Sequence, residues 1–518
     1  MCSSERTPAM PVRRLLSPLA LLTSVVLALT ACGGTQSAAP GSPTGGTTLK
    51  WGWTLPTTWD PVTSSAGNDV NVLSLVYSAI TRLDDKGEAT PGLATGWKYA
   101  EDGKSVAFTL RPGLTFSDGS PLDATAVRKS LLRGRDQKDS LIASQLRNVE
   151  DVEVVSPTEF EVVLEQADYQ IPALLAGKTG MVVNPKAFEA DAKGVSTKPA
   201  GSGPFTLNRL VPGSHANLVR NPSYYDAANI HLDAFEVKAV TEPATVVAGL
   251  QSGQYDVAQL PPEQIEAARA AGLQIDLIPS LTVRVLDVNN KIAPFDDPKV
   301  TEALKYAVDR KALLETSNFG VGEVNVQPFP KGHLGYNPEL ENLYPHDPAK
   351  ARRLLAEAGH PNGIDVPLTT GAPQGLPEQV QEQLKEAGIR TTIKLIAPAQ
   401  HTQLVYVQHN VALAPDGFVG RESPLQALSV VYGPEGLMNP GRNTPEALLE
   451  KFEEIRTTPL DDPGYAGALQ EAVAIGVKEL PNVWLFSTPR IFARNPKVSP
   501  LPTGPAVQRF DGVRITNP

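Results

Sequence analysis

Two cysteines, Cys2 and Cys32, are the only thiols in the 518-residue sequence. Cys32 closes the run Leu29-Thr30-Ala31-Cys32, whose small side chains leave a peptide bond open to a processing peptidase. No other nucleophile stands in a catalytic spacing: Gly-x-Ser-x-Gly, Ser-x-x-Lys, His-Glu-x-x-His and the P-loop lysine pattern are all missing. Gly201-Ser202-Gly203 lacks the outer spacing of a nucleophile elbow and reads as a tight turn before a strand. The seven histidines never recur at i, i+3 or i+4, so no helix presents the pair from which a zinc site is built. His401 and His409 can share a helix face and read as solvated. Glu453-Glu454 and Asp461-Asp462 read as solvated charge on a helix and a loop. We therefore expect no enzyme, no metal and no cofactor. An exported hydrolase is the alternative from another class.

The segment before Cys32 gives its thiol a role. Arg13 and Arg14 precede an apolar stretch, Leu15 to Leu29, interrupted by Ser17, Pro18, Thr23 and Ser24. That stretch is shorter than the roughly 20 residues a membrane span needs and fits a signal-peptide core. With it, Leu-Thr-Ala-Cys resembles the lipobox of bacterial lipoproteins. The resemblance implies a diacylglyceryl thioether on Cys32, cleavage before it, and export to the outer face of the cytoplasmic membrane. Residues 33–48 are glycine, serine, threonine and proline with few apolar side chains. They read as a flexible tether with a reach of about 20 Å.

Composition narrows the partners. Cys2 leaves with the signal peptide and the lipid takes Cys32, so no internal disulfide is expected. A chain this long can bury a core without one. Lys plus Arg number 46 against 56 Asp plus Glu, a net charge of −10. An acidic, evenly mixed surface argues against nucleic acid or a lipid surface as partner. The lipid is the expected membrane contact, and a monomer is the expected state.

The remaining chain alternates helix and strand, an α/β signature. Leu49 to Trp53 reads as a strand, Asp69 to Arg82 as an apolar helix, and Ser105 to Leu110 as a strand after the Asp102-Gly103 turn. Asp123 caps the next helix. Asp297-Pro298 and Asp347-Pro348 repeat one device, an N-cap followed by proline at the first helical position. After the first of these, Val300, Leu304, Ala307 and Val308 form a buried stripe. Leu376 to Gly388, Thr444 to Arg456 and Gly464 to Leu480 read as helices; Ile389 to Leu395 and Val483 to Thr488 read as strands. Trp51, Trp53 and Trp59 carry large apolar area: the first two read as core, and Trp59 is open to a ligand role.

Several segments in order carry a family likeness. Leu93 to Gly134 holds a Trp, an Asp-Gly turn, a strand ending Leu-Arg, Phe116-Ser117-Asp118-Gly119 and a helix. Then come Gly203-Pro204-Phe205, Arg220-Asn221-Pro222-Ser223-Tyr224, Leu250 to Asp256, Val288-Asn289-Asn290, Pro294 to Pro298, and Ala303 to Arg310. Together they resemble the family 5 extracellular solute-binding proteins of ABC importers. The resemblance implies a two-lobed periplasmic-binding-protein fold, with a ligand cleft between the lobes and two hinge strands, Leu281 to Asn289 and Val483 to Thr488. It implies residues 1–31 as lipoprotein signal peptide, 32–48 as tether and 49–280 as lobe I, with an inserted subdomain near 91–200. Lobe II would be 281–486, and 487–518 would return to lobe I. The implied partners are a small peptide-like solute and the permease subunits of an ABC transporter.

Peptide-binding members hold the ligand's amine with an aspartate in a Trp-x-Ala-Asp-Tyr-x-Asp-Pro-like segment. The matching stretch is Gly417-Phe418-Val419-Gly420-Arg421-Glu422-Ser423-Pro424. Anchored on Pro424, it places Gly420 at the amine-binding position and Ser423 at the second aspartate. A buried ammonium without a carboxylate costs several kcal/mol, so simple free-amine binding is not expected there. Three readings stay open: Glu422 takes the amine, Arg421 pairs with a carboxylate or phosphate, or the two pair with each other. The candidate ligand-binding residues are Trp59, Asn289, Phe418, Gly420, Arg421, Glu422 and Trp484. The solute is peptide-like, or alternatively a metal chelate or anionic compound.

Overall fold

The strand Thr48–Trp53 begins the fold and pairs in parallel with Ala234–Ala239 and Val257–Gln259. A computed structural model describes residues 47–84, 86–371, 375–397, 400–504 and 506–516. Cys32, the leader and nearly all of the tether lie outside the described residues. The central sheet runs in the order Leu413–Phe418, Gln274–Val288, Val483–Arg494, Val257–Gln259, Thr48–Trp53, Ala234–Ala239, His215–Arg220, Phe205–Val211, with Glu323–Val324 joining Val483–Arg494 from outside this path.

Two strands are much longer than the rest. Gln274–Val288 and Val483–Arg494 pair antiparallel from Gln274↔Arg494 to Leu286↔Val483, with register shifts near residues 278–282 and 284–285. One end of this ribbon packs with the first lobe, where Leu49, Trp51, Phe235, Ile278, Phe492 and Phe510 share a core. The other end packs with the second lobe, where Leu286, Leu304, Val308, Leu355, Ile389 and Phe486 do so. These are the two strands joining the lobes of the α/β fold. Each extends beyond its expected range on the first-lobe side, because its residues there still find ladder partners.

A four-stranded antiparallel sheet, Ala94–Tyr99, Ser105–Leu110, Glu159–Leu164, Val149–Ser156, carries a separate core around Phe108, Phe160 and Leu131. Asp123 caps the helix Ala124–Asp136 by accepting from the Ala126 N–H at 2.9 Å. In the second lobe, Asp297 caps Pro298–Ala307 and Asp347 caps Pro348–Glu357. The parallel pair Ile364–Thr370 and Ile389–Leu395 is bridged by the helix Leu376–Glu386, as a parallel crossover requires. Among the described residues, no helix is long and apolar enough to cross a membrane.

One element differs from expectation. The helix beginning at Asp69 stops at Leu73, and Thr81–Leu83 is a short strand. Leu75, Val76, Tyr77 and Ile80 are buried on all sides. Their backbone groups are drawn off by neighbours: Gly203 and Phe205 donate to the carbonyls of Val76 and Leu75, and Ile80 donates to Gly180. Tertiary hydrogen bonds there replace helical ones.

Candidate functional site

A cavity of about 1680 Å³ lies between the lobes. The joining strands floor it with Ser280, Leu281, Thr282 and Arg284 from one and Thr488 to Ile491 from the other. The first lobe contributes Trp53, the loop around Ser64 to Asn71, and Gln170 and Lys178; the second contributes Asp416 to Gln426 and Phe452. Its volume exceeds the few hundred Å³ that small ligands commonly fill, so it is large enough for a molecule of several residues' size.

Five cationic side chains line this cavity, Arg147 at its edge and the four described next. Lys178 donates to the Ser64 carbonyl (2.9 Å), the Ser64 hydroxyl (3.2 Å) and the Ala66 carbonyl (3.1 Å). Burial lowers its pKa, against the pull of Asp69 and Glu422. Arg284 lies along Gly417 of the neighbouring strand, where an added β-carbon would come within 3.1 Å of Nη1. Burial lowers its pKa too, with Asp416 opposing. Arg421 donates to the Gly420 carbonyl at 2.5 Å and stands over the Phe418 ring. Burial lowers its pKa, opposed by Glu422 and Tyr406. Arg490 is pushed down to about 10 by burial and gives its terminal nitrogens to the carbonyls of Gly504 and Ala506.

Behind Arg284 sits an acid pair. The Tyr406 phenol oxygen lies 3.1 Å from Asp287 Oδ2 and also contacts Asp416 Oδ2. One phenol hydrogen serves one carboxylate, so a second proton is favoured at the pair. Burial, then the Asp416 charge, raises the Asp287 pKa well above the usual carboxylate range. His401 Nε2 is 3.5 Å from Asp416.

The cleft is closed on one side by direct contacts between lobes. Gln170, 4% exposed, accepts from Ser423 Oγ (3.0 Å) and the Tyr465 hydroxyl (2.8 Å). The Tyr169 N–H donates to the Arg456 carbonyl at 2.9 Å, and Arg147 pairs with Glu435 at 2.9 Å. Glu422 lies over Gly177, its carboxylate in the space a β-carbon there would need.

Of the seven residues singled out from sequence, the structure brings Gly420, Arg421 and Glu422 to the cavity wall. The other four side chains are packed away from it. Trp59 is 2% exposed in the first-lobe core. Asn289 donates to the His409 carbonyl at 2.9 Å and accepts from Lys291 N, holding a turn. Phe418 is fully buried with Trp484 edge-on at 6.0 Å, and Trp484 Nε1 donates to the Tyr432 hydroxyl at 2.9 Å. Gly420 has φ of +71°, and a β-carbon there would run into Leu281. An aspartate is excluded from that position by backbone and packing alike. Arg421 and Glu422 form no ion pair with each other; their charges act at longer range.

Sequence reasoning missed Arg284, Arg490, Lys178 and Trp53. Trp53 is both core and cleft: 5% exposed, stacked on Phe492 at 5.7 Å, with an indole N–H that has no acceptor among the described residues. Strand alternation held the signal for Arg284, since Thr282 and Arg284 interrupt the apolar Leu281, Val283 and Val285 at period two.

Residues 88–436 match the family model described as "Bacterial extracellular solute-binding proteins, family 5 Middle". The chain is 30% identical over 351 residues to the glutathione-binding protein GsiB of Salmonella paratyphi A, covering 66% of this chain and 68% of that one. Among solved structures it is similar to the binding protein AgaA in complex with agropinic acid, from A. tumefacien R10. That likeness has a TM-score of 0.80 at 23% identity, over 91% of this chain and 99% of the other. It is also similar to DppA of Helicobacter pylori in complex with the peptide STSA, with a TM-score of 0.81 at 20% identity, over 91% and 98%.

Proposed function

The chain belongs to the bacterial extracellular solute-binding proteins of family 5, and from that membership we propose that it is a lipid-anchored receptor delivering a peptide-like solute to an ABC importer. Family members are extracytoplasmic and work with ABC permeases on small solutes; they are binding proteins, not enzymes. The anchor is Cys32, and the tether lets the receptor reach its permease.

The observation that carries this reading is the cavity between two lobes joined by the paired strands Gln274–Val288 and Val483–Arg494. Solute enters an open form, the lobes close about these strands, and the closed form docks on the permease. Solute favours closure only by the contacts it adds in the closed state. Mass spectrometry of solute released from natively purified protein, with small-angle scattering before and after its removal, tests the reading. A released solute and an expanded empty form support it. No solute, and a shape unchanged by peptide mixtures, sinks it.

A second reading, a non-peptide anionic solute, is favoured by the arginines on the wall. AgaA, a structural neighbour, is described with agropinic acid, and DppA with a peptide.

A further inference from the structure

The charged groups of the cleft divide into those already satisfied and those left open. Lys178 is held by three oxygens of the Ser64–Ala66 loop. Arg147 is paired with Glu435, and Arg490 gives both terminal nitrogens to backbone carbonyls, its buried Nε alone finding no acceptor among the described residues. Asp416 is contacted by the Tyr406 hydroxyl and accepts from the Gly417 N–H, while Asp168 accepts from Gln170 N and Asn148.

Three groups remain. The Arg284 guanidinium makes no hydrogen bond or ion pair with any described residue, although burial penalises its charge. Arg421 donates only to the carbonyl of the residue before it. The Glu422 carboxylate has no hydrogen bond or ion pair with any described residue, yet its charge is felt by both Arg421 and Lys178. A guanidinium carries five N–H donors, and a desolvated donor without an acceptor is unfavourable. Two open cations and one open anion therefore face a cavity large enough for a small peptide.

We infer that the cleft is built for a solute bearing two anionic groups and one ammonium, with the anions on Arg284 and Arg421 and the ammonium on Glu422. This rests on the cleft being the solute site of the receptor. It also accounts for Gly420: the ammonium is held two residues further along, where the backbone tolerates a carboxylate. A peptide with one carboxylate leaves one guanidinium unpaired, and selectivity follows from that unpaired charge.

Calorimetry on the full chain with glutathione (two carboxylates, one ammonium), its glycyl monoethyl ester and trialanine tests the inference. So does the charge of any solute released on denaturation. Glutathione is expected to bind at least tenfold more tightly than the ester or trialanine. R284Q, R421Q and E422Q should each weaken it at least tenfold, and R284K should keep part of the loss back. The ligand-free melting temperature of R284Q should match wild type, which separates lost binding from lost folding. Equal binding of trialanine and glutathione, or an unchanged R284Q, overturns the charge assignment and leaves the receptor reading standing. If none of the three probes binds, the released solute decides: two anionic groups and an ammonium support the inference, and fewer overturn it. No binding and no released solute overturns the inference and the receptor reading together.

Discussion

The carboxylate of Glu422, in the second lobe, fills the space above the Cα of Gly177 in the first. Only a residue without a side chain at 177 permits that approach, so the close meeting of the lobes here depends on a glycine beneath the Glu422 carboxylate. Gly177→Ala should disfavour closure by about 1–3 kcal/mol, the usual cost of overpacking. We expect weaker solute binding and a larger radius of gyration with solute present, at an unchanged ligand-free melting temperature. Wild-type affinity in the alanine variant would show that Glu422 swings aside freely.

Leu304 is fully buried with Val300, Ala307 and Val308 in the second-lobe core. Leu304→Ala should destabilise the protein by about 2–5 kcal/mol through the cavity it leaves. Urea denaturation measures this, and a change below about half a kcal/mol is outside what such burial allows.

Asp287 gives a pH dependence with a defined sign. Its folded pKa is raised well above the ordinary carboxylate value of 3.8 by burial and by Asp416. In that window the folded state binds the proton more tightly than the unfolded chain, so stability falls as pH rises. The contribution is complete below 3.8 and is lost as pH climbs through the raised value. Asp287→Asn keeps the contacts to Tyr406 and Asn482 without the charge. The variant should melt above wild type at pH 8, with the gap closing toward pH 4. Parallel melting curves across that range would mean that Asp287 does not titrate there.

Cys32→Ser should release the protein from membranes. Two acyl chains anchor firmly where a single chain is marginal. Fractionation with an intact-mass measurement checks it; a serine variant still in the membrane fraction, at an unlipidated wild-type mass, ends the lipid reading.

Local chemistry made much of the fold legible. Asp123, Asp297 and Asp347 cap the helices they precede, and the joining strand from Leu281 came from the family likeness. The caps depend on residues a few positions apart. The buried segment after Leu73 was not legible, because its hydrogen bonds go to Gly180 and Gly203, far away in the chain. Nor was Lys305, read as part of a helix but not as a buried ammonium. It lies 4% exposed, donates to the Val477 carbonyl at 2.8 Å, and is pushed down to about 7 by burial. In the site, the stretch 420–422 was found by its likeness to a family segment. Arg284 went unremarked because one arginine in a strand looks like an exposed face until the opposite wall is known.

The ribbon of Gln274–Val288 and Val483–Arg494 has a consequence for how such a receptor can be rebuilt. The chain leaves for the second lobe at Val288 and comes back at Val483, and Leu286 and Val483 are ladder partners. Everything between is a cassette whose two ends meet side by side. A different second lobe could be spliced in at that one junction, leaving the first lobe's fold untouched, so that a new specificity is grafted onto an existing half of the cleft.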